Sequence, residues 1–234
     1  MKTNKIIGGL FIAGAIALFI PYNILIVIFE YPDILRQPTS IILTKFHEGG
    51  SMLIWTWFAF AITGIPLLPA YILLGQKLEH KTSLARMATT IGVIGLIVQM
   101  IGLLRWTFVV PVLADTFVSA SDEATKAAAV IAFKTIHQFG GVILGEHLGQ
   151  LFTIAWTAMI SISLQRLQVI PNWVSYFAYV ASAIYLLAQA ELFATVMPSF
   201  PVWDLAGFIG STLWLLWLVI IGVFFLRSKK LSVI

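Results

Sequence analysis

Long apolar stretches, separated by shorter polar connections, follow one another along the chain. Six of them are long enough to cross the roughly 30 Å hydrocarbon core of a bilayer, a distance that takes about 20 residues of helix. They cover residues 6–29, 50–75, 87–112, 139–165, 173–196 and 205–226. None shows the alternation of a membrane β-strand, so the pattern predicts helices that satisfy their backbone groups internally. We therefore predict an all-α fold, a single domain over residues 1–234 built as a polytopic bundle of six transmembrane helices.

Two connections, residues 30–49 and 121–138, are long enough to carry short helices of their own. In the first, Pro32 favours a turn within Tyr31-Pro32-Asp33-Ile34-Leu35-Arg36, and the residues after it leave room for a short interfacial helix. In the second, Ser121-Asp122-Glu123 is typical of a helix start. The sequence therefore predicts short outer-surface helices in the first and third connections.

The composition excludes several classes of protein. With 60% hydrophobic and 10% charged residues and a mean hydropathy of +0.98, the chain cannot hide its apolar groups in a soluble globule. The absence of cysteine excludes disulfides, thiolate metal sites, iron–sulfur clusters and thiol nucleophiles. The pI near 9.4 reflects basic residues beside the ends of the spans rather than a basic patch, so we expect no nucleic-acid partner.

The distribution of Lys and Arg predicts the orientation in the membrane. The amino terminus, the second and fourth connections and the tail hold nine of them: Lys2, Lys5, Lys77, Lys81, Arg86, Arg166, Arg227, Lys229 and Lys230. The first, third and fifth connections hold four: Arg36, Lys45, Lys126 and Lys134. Because cytoplasmic connections are enriched in basic residues, we predict a multi-pass membrane protein with both termini in the cytoplasm.

The fourth apolar stretch carries a stripe of charged and hydrogen-bonding residues. Its members are Glu146, His147, Gln150, Thr153, Thr157 and Ser161. Such side chains are costly in hydrocarbon, so they are expected to face the protein interior and to mark a site. At about 100° per residue of α-helix, Gln150 lies between Glu146 and His147, and the three point into one sector.

Two further polar residues, in other spans, are predicted at the same depth in the membrane. Arg105 of the third span and Glu191 of the fifth lie at a depth comparable to that of Glu146, in the outer third of the bundle. We therefore predict an outer-facing intramembrane polar pocket. In it Arg105 is an anion anchor, Glu146 and Glu191 are carboxylate partners or proton carriers, and His147 is a base or a ligand. Gln150 and Trp106, which follows Arg105, are expected to line this pocket.

A metal site is one form that the pocket could take. His147 and Glu146, joined by His47 at the outer mouth of the second span, would offer nitrogen and oxygen ligands suited to Zn or non-haem Fe. A haem b held between His147 and His47 is a weaker alternative, because His47 lies shallower in the membrane. In an unbroken α-helix, His137 points away from Glu146, so it joins the site only if Gly140-Gly141 breaks the helix.

Small residues predict where two spans approach each other closely. The third span repeats Gly95, Gln99, Gly102 and Arg105 on one face, and the fourth contains Gly141, Gly145 and Gly149 at intervals of four. A G-x-x-x-G-x-x-x-G run lets a neighbouring helix come near its backbone. We expect such a contact beside the polar stripe.

The order and spacing of three motifs give a family resemblance. Tyr31-Pro32-Asp33-Ile34-Leu35-Arg36, Arg105-Trp106 and Gly145-Glu146-His147-Leu148-Gly149 resemble a bacterial family of small integral membrane proteins catalogued only as a domain of unknown function (DUF4386). The resemblance covers nearly the whole chain. It implies six helices and singles out Arg105, Glu146 and His147, but it brings no reaction, substrate or cofactor.

Three hypotheses for the function follow. The first is a pocket that binds a small ligand, a lipid head group or a metal, reached from the outer side; a membrane enzyme would use the same residues as acid–base or metal groups. The second is a non-catalytic subunit or stability factor whose buried charges lock the bundle. The third is a transporter, for which six spans suffice in an oligomer, although no inverted repeat is visible. The bilayer itself is the one partner common to all three.

Overall fold

The computed structural model describes residues 2–227, and all regular structure within that range is helical. The α-helices are α1 (Lys2–Phe29), α2 (Thr39–Ile62), α3 (Leu67–Leu78), α4 (Ser83–Phe108), α5 (Val110–Ser119), α6 (Glu123–Ile136), α7 (Gly149–Arg166), α8 (Asn172–Leu187), α9 (Gln189–Ala194) and α10 (Ala206–Arg227). A 3-10 helix covers Asp33–Arg36, and His137–Leu148, here called the π segment, is π-helical. Lys229 and Lys230, which entered the topology prediction, lie outside the described residues.

Six helical runs are long and apolar enough to cross a membrane, which confirms the predicted fold class. They are Lys2–Phe29, Thr39–Leu78, Ser83–Ser119, Glu123–Arg166, Asn172–Ala194 and Ala206–Arg227. Large apolar side chains on their surfaces are exposed, among them Val27 at 81%, Phe108 at 65% and Ile131 at 65%. Long apolar helices that expose such side chains fit a lipid surrounding. The protein is therefore a multi-pass membrane protein.

The first connection contains a helix, as predicted, and Gly50 ends it; its interfacial position stays a prediction. The helical run from Thr39 is interrupted at Gly50, whose φ of 55° and ψ of −148° fit no helix. Glycine adopts this conformation without the steric cost that a Cβ would bring. The same run is interrupted again before Pro66, after which α3 begins at Leu67. The second span is thus a series of three helical pieces.

The third connection contains the predicted helix, α6, which begins where the sequence indicated. Asp122 is its N-cap, and its carboxylate accepts hydrogen bonds from the Thr125 amide and the Thr125 hydroxyl, both at 2.8 Å. These hydrogen bonds stabilise the ionised form and lower the pKa of the Asp122 carboxyl. Helix α5, which precedes α6, extends the third span beyond the predicted end at residue 112.

The described chain divides into two compact units, and the first comprises residues 2–16, 64–98 and 146–227. Its centre is aromatic: the rings of Tyr71 and Trp156 stack with centroids 3.6 Å apart, and Phe11 and Trp217 pack around Trp156. All four side chains are fully buried. Helix α8 packs against both α7 and α10 in this unit.

The second unit comprises residues 17–63 and 99–145. Trp106 lies in a stack between Trp57 and Phe46, with ring centroids 4.7 and 5.7 Å away. Phe29 meets Trp106 edge-on at 5.5 Å. These rings form the core of the unit, where α2 packs against α5 and α5 against α6. The single domain that we expect from the sequence stays a prediction.

Candidate functional site

The polar motif of the fourth span lies in an unusual helix. Residues His137–Leu148 are π-helical, and α7 continues the span from Gly149. π-helices are rare and occur frequently at functional sites. The sequence analysis used about 100° per residue, whereas bonds between residues i and i+5 imply roughly 80°. The angle between Glu146 and His147 about the helix axis is therefore smaller than in an α-helix, and the two side chains still share one sector.

The polar stripe of the fourth span faces the protein interior, as predicted. Thr153, Thr157 and Ser161 are 2% exposed or less. The Thr157 hydroxyl donates to the Thr153 carbonyl at 2.8 Å, which satisfies it within its own helix. Glu146, His147 and Gln150 are half-buried, so the stripe becomes more accessible toward the π segment. Accessible polar groups at the end of a buried polar stripe are suited to meet a ligand.

A chain of side-chain contacts holds His147 in the first unit. His147 Nδ1 lies 2.7 Å from Gln189 Oε1, and Gln189 Nε2 donates to Gln150 Oε1 at 2.7 Å. Gln189 Nε2 also lies 3.5 Å from the main-chain carbonyl of Glu146. Gln189 is only 5% exposed. A buried amide between an imidazole and a second amide forms a polar network whose members satisfy one another.

The Glu146 carbonyl determines how this network is polarised. A carbonyl only accepts hydrogen bonds, so the Gln189 nitrogen, and not its oxygen, must face it. The Gln189 oxygen then faces His147 and can only accept, which makes Nδ1 of His147 the donor. In the neutral ring the proton is consequently on Nδ1, and Nε2 carries the lone pair.

Nε2 of His147 is the free end of the network. Among the described residues it makes no hydrogen bond, and it is not one of their enclosed polar atoms. The Phe193 ring contacts the imidazole edge-on, with centroids 5.9 Å apart. An oriented imidazole with an open lone pair can accept a hydrogen bond, take a proton or bind a metal.

Gln189 is the residue that the sequence analysis missed. It begins α9, directly after the interruption that separates α9 from α8. The analysis chose Glu191 in the same segment because a charge is the costlier group in a membrane. Gln189 and Glu191 point in different directions from one short helix, and the structure buries Gln189 while leaving Glu191 half-buried. The sequence signal that could have identified Gln189 is a neutral amide inside an apolar span.

Arg105 lies in the second unit and is 7% exposed. Its guanidinium donates to the carbonyl of Gly102, lies over the Trp106 ring with Cζ 5.2 Å from the centroid, and occupies the space where a Cβ on Gly141 would stand. Any larger residue at position 141 would therefore collide with the Arg105 guanidinium. These contacts support a structural contribution of Arg105. Its predicted pairing with Glu146 or Glu191 stays a prediction.

The close helix contact predicted at the glycines of the fourth span is confirmed, and the structure shows in each unit that the third span makes it. In the second unit, a Cβ on Gly102 would lie 2.6 Å from the Gly140 carbonyl oxygen and 2.7 Å from Gly145 Cα. In the first, a Cβ on Gly95 would lie 2.8 Å from Cβ of Phe152. The run of glycines thus lets α4 contact the backbone of the fourth span directly.

The histidines proposed as further metal ligands have other surroundings. His47 Nδ1 lies 3.9 Å from the Asp115 carboxylate in the second unit. Both ring nitrogens of His137 are enclosed and lack a hydrogen-bond partner among residues 2–227, where its ring stacks on Phe133 at 5.3 Å. Nowhere in that range do three His, Cys, Asp or Glu side chains come together. The described residues therefore give no support to a Zn or Fe site with three protein ligands, and the haem b alternative stays untested.

The comparisons with known proteins agree with the resemblance seen in the sequence. The model of a family described as "Domain of unknown function (DUF4386)" matches residues 6–222. No curated protein and no solved structure matches the chain. The matched range contains all three motifs that carry the resemblance. Because the match covers nearly its whole length, the chain belongs to the DUF4386 family.

Proposed function

We propose that this membrane protein binds a small molecule or a lipid head group through Nε2 of His147. The carrying observation is the polarised network in which buried Gln189 fixes the His147 ring from its other side. An imidazole that only filled space would not need this support. Orienting a ring nitrogen from behind is what binding and catalytic histidines require.

The chemistry of the site indicates the kind of ligand. Nε2 accepts a hydrogen bond, so the ligand presents a hydroxyl, an ammonium or an amide N–H group. Phe193 beside the ring adds an apolar wall, which suits a molecule that also has apolar surface. A lipid head group and a small amphipathic metabolite both meet these conditions. If the protein is an enzyme, His147 acts as the general base.

The proposal places the site toward the outer side of the inner membrane, with both termini in the cytoplasm. The charge distribution supports this orientation. Cysteine-free protein allows a direct test, because a cysteine at Lys81 and one at Ser121 are the only thiols in their variants. Both positions are exposed, and we expect an impermeant thiol reagent added to intact spheroplasts to label Ser121→Cys only. Labelling of Lys81→Cys from outside contradicts the orientation.

Replacing His147 with asparagine tests the binding proposal. The asparagine amide can still donate to Gln189, whereas the acceptor at Nε2 is lost. We expect the fold to be retained and the bound species to fall about tenfold, since an unmatched polar contact costs roughly 1–3 kcal/mol. The measurement is native mass spectrometry of the protein purified in mild detergent, with melting temperature and elemental analysis on the same preparations.

His80→Asn is the matched control, because His80 is exposed in the connection between α3 and α4. It should bind as the parent does. If His147→Asn retains the same species in the same proportion, or if the parent protein carries nothing beyond exchangeable detergent, the proposal is wrong.

A scaffold role is the second candidate function, and a separate observation favours it. Arg105 is buried against Trp106 and Gly141, and α4 contacts the backbone of the fourth span at Gly102. Such contacts lock helices together without any ligand. A His147→Asn variant that unfolds while the parent carries no bound species would support this alternative.

A further inference from the structure

A groove of about 350 Å³ lies between α3 and α4, outside the site described above. Its floor is the contact of Gly75 with Thr89, where a Cβ on the glycine would collide with the threonine hydroxyl. The groove opens onto the surface that the spans present to lipid, since Ile72 and Ile94 on its walls are 40% and 44% exposed.

The groove is apolar at one end and polar at the other. Ile72, Val93 and Ile94 line the apolar end, and Gln76, Glu79 and Arg86 line the end toward the connection. The step from Ile72 to Glu79 is seven residues, which is about 10 Å along a helix. A ligand that fills it has an apolar part and a polar part roughly that far apart.

The polar end is basic. The segment from Lys77 to Arg86 contains Lys77, Lys81 and Arg86 against the single acid Glu79. The Glu79 carboxylate lies 3.6 Å from Nε of Arg86. This contact is made at Nε and not at the two terminal nitrogens of the guanidinium. The side chain is 75% exposed, so those terminal donors face the surroundings. A planar guanidinium with exposed donors is well suited to bind a phosphate.

From this arrangement we propose that the groove between α3 and α4 is a binding site for an anionic phospholipid. One acyl chain lies along Ile72, Val93 and Ile94, and the phosphate is held by Arg86. The net positive charge of the connection selects an anionic over a zwitterionic lipid. Burial of the acyl chain in the groove adds the apolar part of the binding energy.

Lipid retention measured by native mass spectrometry tests the proposal. The protein is reconstituted in vesicles of equal amounts of phosphatidylglycerol and phosphatidylcholine, extracted in mild detergent, and analysed for bound lipid. The parent should retain phosphatidylglycerol preferentially. Arg86→Gln should lower that retention about fivefold, the factor that corresponds to one basic side chain near an anionic lipid.

Two further variants serve as controls. One tests whether any lost positive charge lowers lipid retention, and the other tests whether loss of the ion pair lowers it. Lys81→Gln removes the same charge from the connection beside the groove but does not line the groove, so it should lower retention clearly less than Arg86→Gln does. Glu79→Gln breaks the ion pair but keeps the arginine, so retention should be unchanged or higher. Equal retention of both lipids by the parent, equal losses in Arg86→Gln and Lys81→Gln, or a comparable loss in Glu79→Gln each overturns the proposal.

Discussion

Replacing Gly102 with alanine is expected to destabilise the protein by about 2–3 kcal/mol, the upper part of the usual cost of forcing an extra methyl group into a tightly packed contact. The added Cβ would lie 2.6 Å from the Gly140 carbonyl oxygen and 2.7 and 2.8 Å from Cα and N of Gly145. All three are backbone atoms, which cannot rotate away as the end of a flexible side chain can. Helix α4 must therefore shift away from the π segment.

Gly9→Ala is the matched control for this prediction. No atom lies within 4 Å of a Cβ built on Gly9, which is also within a helix. Alanine is a better helix former than glycine by roughly 0.5–1 kcal/mol, so this variant should be slightly more stable than the parent. Unfolding in mixed detergent micelles, followed by tryptophan fluorescence, measures both. Equal stability of Gly102→Ala and the parent would show that the two backbones are not in contact.

Trp106→Ala is expected to cost about 3–5 kcal/mol of unfolding free energy, as for other large aromatic residues truncated in a core. The side chain is 1% exposed and stacks between Trp57 and Phe46, and the Arg105 guanidinium lies over its ring. Its removal leaves a cavity and also exposes one face of a buried cation. Phenylalanine at this position should recover part of the loss.

Trp55→Ala provides the comparison, because Trp55 lies in α2, the helix that contributes Trp57 to this core, and is 65% exposed. Truncation of an exposed side chain usually changes stability by about 0.5 kcal/mol or less. The sequence analysis expects Trp106 to line a ligand pocket. A Trp106→Ala variant that keeps its stability but loses a bound species would favour that role over packing.

Much of the fold could be predicted from the sequence because membrane proteins reveal their spans through composition. The six spans, the start of α6 at Asp122 and the close contact of α4 with the fourth span all follow from local signals: apolar length, a capping residue and spaced glycines. The ends of the spans were less accurate. Helix α5 continues past residue 112 because polar residues such as Asp115 do not end a helix that extends from the apolar region.

The candidate site was predicted only in part. Glu146 and His147 stand out as charged or titratable residues in an apolar stretch, and in the structure His147 is the end of a polar network. The π segment could not be foreseen, because no hydrophobic period in the sequence distinguishes it from an α-helix. Gln189 was missed because its importance arises from burial and from its neighbours in space, which a single sequence does not display.

The orientation of the His147 ring tests the central claim most directly. The protein, labelled with nitrogen-15 in its histidines, is placed in lipid nanodiscs and examined by NMR above about pH 8, where an ordinary imidazole is neutral. The signals of the His147 ring are identified as those that are missing from the spectrum of His147→Asn. The account predicts a proton on Nδ1, held by Gln189, and an unprotonated Nε2; in Gln189→Leu this preference should disappear. A proton on Nε2 in the parent protein would contradict it.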